Sequence, residues 1–177
     1  DTTSHAMRPV QFNQGIGSNT TDVDTVTLEL IDPSTFLIIA TSNAMLQTNG
    51  NVSATFNSTL SGSYYLAIKH RNGIKTWSSS PIVVSSSTPL YDFTNASSKA
   101  YGGNMVEIET GVWGFYSGDI NQDGNVDNSD YTLWETDSNA FAFGNYSTDL
   151  NGDGNVDNSD YTIWETNSNN FIYSIQP

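Results

Sequence analysis

The sequence contains no cysteine. That excludes disulfides, zinc thiolate centres, iron–sulfur clusters and cysteine nucleophiles together. Positive charge is also scarce: 5 Lys+Arg stand against 19 Asp+Glu, for a formal net charge of −14. A nucleic-acid partner is thereby disfavoured, because its phosphates would be repelled, and anionic membrane surfaces are disfavoured for the same reason. No run approaches the roughly 18–20 apolar residues that span a bilayer, and the opening "DTTSHAMRPV" has no signal-peptide core. Its "SHAM" looks like a cloning remnant, so residues 1–16 are set apart as a tail. No nucleophile elbow, phosphate loop or zinc signature is present, which argues against an enzyme. What remains to staple a small polar domain is a hard cation held by oxygen. Abundant Asn, Ser, Thr and Gly with few Lys suits a secreted or extracellular-surface protein.

Residues 17–88 are expected to form an antiparallel β-sandwich. In "VTLELI" Val26, Leu28 and Leu30 alternate with Thr25, Thr27 and Glu29, the period of a half-buried strand. "FLIIAT", "NVSATFN" and "PIVVSSS" are further strand candidates, separated by turn-forming Asp32-Pro33 and Asn49-Gly50. In "YYLAIKHRNGIKTW" the Asn72-Gly73 pair suits a type I′ turn, which would set Arg71 opposite Ile74 and Ile68 opposite Trp77. Composition marks a boundary at "SSTP", residues 86–89, and residues 89–117 form a folded connector with short strands around Met105–Ile108 and Val112–Tyr116.

From Gly118 to the end the chain repeats itself at an offset of 30 residues. Between Asp119–Thr136 and Asp149–Thr166 only Ile120/Leu150, Gln122/Gly152 and Leu133/Ile163 differ. Each copy opens with a loop of twelve residues, "DINQDGNVDNSD" and "DLNGDGNVDNSD". An EF-hand calcium loop takes oxygens at positions 1, 3, 5, 7 and 12, often a water-mediated one at 9, and needs Gly at 6. The first loop supplies Asp119, Asn121, Asp123, the Asn125 carbonyl, Asp127 and Asp130, with Gly124 at the turn. The second supplies Asp149, Asn151, Asp153, the Asn155 carbonyl, Asp157 and Asp160, with Gly154. Four carboxylates in so small a loop repel one another unless a divalent cation reverses the sign of their interaction. Two calcium ions are therefore the expected cofactors. Calcium suits such a flexible loop better than magnesium, which demands a tighter octahedron.

After each loop, "NSDYTLWET" and "NSDYTIWET" start a helix, with Asp127 or Asn128 as N-cap and acidic Asp130 in the first turn. Tyr131 and Trp134, like Tyr161 and Trp164, fall on one helix face and are expected to pack the two halves together. Val126 and Val156, at position 8, suit a short pairing between the loops.

A full EF-hand has a helix before its loop, but "TGVWGFYSG" is Gly-rich and strand-like. A duplicated loop plus exiting helix, with Asp at the last ligand position, resembles the type I dockerin family over residues 118–177. The resemblance implies a non-catalytic module of a secreted bacterial protein that docks on a cohesin-like partner. It also implies that loop positions 10 and 11 touch that partner, here Asn128-Ser129 and Asn158-Ser159, with a near two-fold symmetry that lets either repeat bind. Further along the helix, where many dockerins carry basic residues, this chain has Glu135-Thr136 and Glu165-Thr166. The preceding β-rich part, with "YYLAIKHRNGIKTW", is similar to β-sandwich modules of secreted Bacteroidetes-type surface proteins.

Three functional readings follow: protein docking; a calcium-stabilised C-terminal cap packed on its own β-domain without a cohesin; and carbohydrate binding by the β-domain. Exposed Asn-Ser pairs would favour docking, and burial of both helices against the β-domain would favour the cap. Lys69, His70, Arg71 and Lys75 cluster at one hairpin beside Trp77. A solvated hairpin tip is the plainer expectation there, and an electrostatic dock for the acidic C-terminal module the sharper one.

Overall fold

The computed structural model describes residues 6–57, 59–85 and 89–177; residues 86–88 of the expected boundary at 86–89 and the first five residues of the tail lie outside the described residues. Strands β1 (Asp22–Ile31), β2 (Ile38–Gln47), β3 (Gly62–His70) and β4 (Gly73–Trp77) form an antiparallel sheet in the order β2-β1-β3-β4, and β5 (Ile82–Val84) pairs with β3. A separate hairpin joins β6 (Val106–Glu109) to β7 (Val112–Gly114). The α-helices among the described residues are a single turn α1 (Val10–Asn13), then α2 (Asn128–Asn139) and α3 (Asn158–Asn169). The fold is thus mainly antiparallel β with a small helical part. Among the described residues no helix is long and apolar enough to cross a membrane.

Pairing of β1 with β3 sets Leu28 opposite Ile68 and Leu30 opposite Leu66, so the alternating apolar residues of both strands share one face. That face meets buried Phe93, Ala100 and Met105 from the 89–117 stretch, with Trp113 and Phe115 packed alongside. The connector therefore completes the β-core. A second sheet of comparable size is replaced, among the described residues, by the β6–β7 hairpin and irregular segments. Ala54 and Phe56 of "NVSATFN" also pack against this core, but the segment forms no strand and touches the sheet only by a bridge from Val52 to Leu46.

Two other expectations are corrected. "FLIIAT", expected as a strand that buries one face, does not do so: β2 is the sheet edge, Ile38 and Ile39 at its start are exposed, and so are Phe36 and Leu37 just before it. The β3–β4 turn is Arg71-Asn72 rather than Asn72-Gly73, since His70 pairs with Gly73 and Ala67 with Trp77. An irregularity between Ile68 and His70 slips the register by one residue. Trp77 thereby moves to the opposite face and packs with Ile31 and Ala67. Neither Asn72 nor Gly73 takes a left-handed backbone, so the type I′ turn is absent. A tertiary contact decides it: Gly73 bridges Ser117, and the Ile74 amide donates to the Tyr116 carbonyl at 3.1 Å.

Candidate metal centres

Both loops fold around their own polar side chains. In the first, Asn121 Oδ1 accepts the Asp123 amide at 2.9 Å and Asp123 Oδ1 accepts the Asn125 amide at 2.9 Å. In the second, Asn151 and Asp153 repeat these bonds to Asp153 and Asn155 at 2.8 and 2.9 Å. Such successive tight turns curl each loop back on itself. Gly124 (φ 93°) and Gly154 (φ 91°) supply the left-handed backbone at position 6.

Each loop is closed by its last residue. Asp130 Oδ1 accepts the amides of Ile120 and Asn121 at 2.7 and 3.0 Å, and its Oδ2 accepts that of Asp127 at 2.9 Å. Asp160 makes the same bonds to Leu150, Asn151 and Asp157 at 2.7, 3.0 and 2.9 Å. Asp127 and Asp157 are the helix N-caps, accepting the Ser129 and Ser159 amides at 2.8 Å and completing capping boxes with Asp130 and Asp160. The two residues expected at position 9 thus start the helices as well.

Asp119, Asp130, Asp149 and Asp160 are all buried. Burial, with the charge of Asp130 next, pushes Asp119 up to about 6. Burial likewise raises the other three. The more exposed Asp123 is held below its ordinary value, chiefly by the Asn121 side-chain amide. Burial opposes the charge on Asp153, but hydrogen bonds led by the Asn155 amide outweigh it and keep this carboxyl low.

Asp119 Oδ1 is buried without a hydrogen-bond partner. An orphaned carboxylate oxygen is costly, and a cation beside it would remove the cost. Among the described residues no three His, Cys, Asp or Glu side chains are gathered as a ready cluster. The oxygen set is instead mixed, with Asn side chains and the Asn125 and Asn155 carbonyls beside the carboxylates. That donor chemistry fits calcium.

The repeats are related by a reciprocal exchange. Each loop pairs with the segment that follows the other helix, so the direct pairing expected of Val126 and Val156 does not form. The Val126 amide donates to Ile172 O at 2.9 Å, and the Val156 amide to Ala142 O at 3.1 Å. Trp134 and Trp164 are buried, and the rings of Tyr131 and Trp164 lie 5.2 Å apart, those of Trp134 and Tyr161 5.1 Å. The aromatics pack the two halves together, as their helical spacing predicts.

The hairpin tip is not a solvated loop. Asn72 is only 4% exposed. Its Nδ2 donates to Asp149 O at 3.1 Å, and its carbonyl accepts the Gly118 amide at 2.6 Å. Arg71 donates to Asp24 Oδ2 at 2.6 Å and also to the Tyr146 carbonyl. Burial works against the charge on Asp24, but hydrogen bonds from His70 and Arg71 outweigh it and hold the carboxyl well below the usual range. Ile74 packs on Val126 and Trp164. Lys69 and Lys75 face Asp119 and Asp123 across a small cleft. Trp77, 4% exposed and covered by the Lys75 ammonium 4.6 Å from its ring, offers no platform to a sugar.

The tail also participates. Gln11 donates to Asp24 Oδ1 at 3.1 Å, and Gln14 to Asp149 Oδ2 at 3.4 Å. A Cβ built at Gly152 would lie 2.7 Å from Val10 Cγ2. In the first repeat Gln122 occupies this position with φ 62°, its side-chain amide donating to Gly73 O at 3.1 Å and Asp119 O at 2.7 Å. Packing thus accounts for one of the three differences between the repeats: one copy must clear α1, and the other grips the hairpin.

Asn128, Ser129, Glu135, Thr136, Asn158, Ser159, Glu165 and Thr166 are all exposed. Tyr131 donates to Glu135 at 2.8 Å and Tyr161 to Glu165 at 2.9 Å, so both glutamates are held along their helices. Sequence reasoning missed Phe141 and Phe171, which end the helices in left-handed backbone (φ 53° each) and are 90% and 84% exposed. Phe141 lines a shallow hollow with Asn158 and Ser159. The signal was available in the repeat itself, since both aromatics occur at the 30-residue offset.

No family model matches the chain, and no curated protein does. It is similar to two crystal structures of type II cohesin-X-dockerin complexes from Acetivibrio cellulolyticus. One is an N-terminal interface mutant, with 17% identity over 81% of this chain and 80% of that chain and a TM-score of 0.47. The other is a C-terminal interface mutant, with 18% identity over the same shares, 81% and 80%, and a TM-score of 0.43. At these scores the likeness assigns this chain neither a fold nor a partner.

Proposed function

We propose that the chain is a non-catalytic, calcium-binding protein-docking module of a secreted bacterial protein, its last 60 residues a dockerin-like pair. The observation that carries this reading is the division of labour between the two sides of the repeat. The loops are anchored on the β-domain through Asn72 and Gln122, while both Asn-Ser pairs face outward. Asp119, Asn121, Asp123, Asn125 and Asp130, with Asp127 through water, would hold one calcium ion; Asp149, Asn151, Asp153, Asn155 and Asp160, with Asp157, the other. Bound calcium would supply the positive charge that the buried carboxylates lack.

Phe141 beside Asn158-Ser159 sets an apolar contact next to polar ones, the mixture that protein interfaces bury, and Phe171 is exposed at the equivalent position of the other repeat. No Lys, Arg or His follows Lys99, so the partner surface is expected to be basic or neutral. The cap reading is favoured by a different observation, the wedging of the β3–β4 tip against the loops, but the helix faces remain uncovered. A pull-down from the source organism's secreted fraction, with and without calcium, tests the choice. Docking predicts a calcium-dependent partner that either single Asn-Ser pair can retain and only substitution of both pairs abolishes. Recovery of no such partner selects the cap.

A further inference from the structure

We infer that Asn72 is a positioning residue through which the β3–β4 hairpin sets both calcium loops at once, so that the two sites bind cooperatively. This rests on the calcium reading above. Asn72 reaches the opening of each loop: its carbonyl accepts the amide of Gly118, which directly precedes Asp119, and its side-chain amide donates to the carbonyl of Asp149 itself. The donor is aimed by His70, whose Nδ1 lies 2.8 Å from Asn72 Oδ1, and His70 Nε2 stands 3.1 Å from buried Asp24. Arg71 fixes the same turn on Asp24 and ties it to Tyr146, three residues before the second loop. Gln122 repeats the link on the other side, joining Gly73 O to Asp119 O.

A loop that tightens around an ion must place its first residue, and here both first residues are referenced to one buried turn. The hairpin is packed through Ile74 against Val126 of the first loop and Trp164 of α3. Ordering one loop orders the turn, and the ordered turn presents its remaining hydrogen bond to the other loop in the required position. The entropy of fixing the tip is then spent at the first ion only, which makes the second bind more tightly.

Calcium calorimetry on the full chain tests this. The unsubstituted protein should bind its second ion at least about fivefold more tightly than its first, the lower end of ordinary coupling. Asn72→Ala keeps the backbone bond to Gly118 but loses the side-chain bond to Asp149, so it should still take up two ions, but independently and with the second loop's site weakened, and Gln122→Ala should weaken the first loop alone. A structural role without coupling would lower the melting temperature of Asn72→Ala and leave the cooperativity unchanged, which overturns the inference. So does a non-cooperative isotherm in the unsubstituted protein. If Asn72→Ala does not fold, Asn72→Ser is measured in its place against the same criteria. Absence of any calcium binding by the unsubstituted chain overturns the calcium reading itself, and is thereby distinguished from a failure of the coupling.

Discussion

The indole N–H of Trp164 donates to the carbonyl of Asp127, 3.0 Å away in the other repeat, and Trp134 makes the reciprocal bond to Asp157 at 3.2 Å. Each helix thus braces the point at which the other helix begins. A tryptophan in this position combines a large buried ring with a satisfied polar edge, which is why it can serve in a core that is otherwise small.

Trp134→Ala and Trp164→Ala should each destabilise the protein by about 3–5 kcal/mol, the usual cost of deleting a buried aromatic. Because both rings contribute to one contiguous packing unit, the double variant should lose less than the sum. Urea denaturation of the four proteins checks both statements.

Chelation should lower the melting temperature and accelerate amide exchange across 118–177, since the buried Asp119 and Asp149 then lack a compensating charge. Asp119→Ala and Asp149→Ala should each leave one calcium site by calorimetry. Two intact sites in either variant would refute the ligand assignment.

Acid should weaken the attachment of the hairpin tip. The folded-state pKa of Asp24 is depressed, so its contribution is present above the ordinary value of 3.8 and is lost as the pH falls below it. Denaturation midpoints measured down through that range should fall for the natural protein. Asp24→Asn should be less stable at neutral pH and flatter in acid; an unchanged acid slope would remove Asp24 from the account.

Ile74→Ala opens space between Val126 and Trp164 and should cost about 2–5 kcal/mol. The loss should appear as faster exchange in both the hairpin and the repeats, because the residue joins them. Exchange changed in the β-sheet alone would mean that the two parts are not coupled at this point.

Local pattern was enough to read the repeat, the helix starts at Asp127 and Asp157, the glycine turns and the inward faces of Tyr131, Trp134, Tyr161 and Trp164. These depend on interactions within a few residues, where spacing specifies geometry. The hairpin register was misread because the turn rule assumes that Asn72 and Gly73 are free to choose their own backbone. In the folded chain they are held by Ser117, Tyr116 and Asp149, far away in sequence. The same holds for Val126 and Val156, whose backbone partners lie in segments that carry no recognisable pairing signal.

By itself the sequence determined a twice-written acidic loop and two aromatic helices, because residue spacing and helical period are local properties of a chain. Tertiary structure alone decided that a buried asparagine of the β3–β4 turn would touch the start of both loops, since that juxtaposition depends on how a slipped register aims one turn across the molecule.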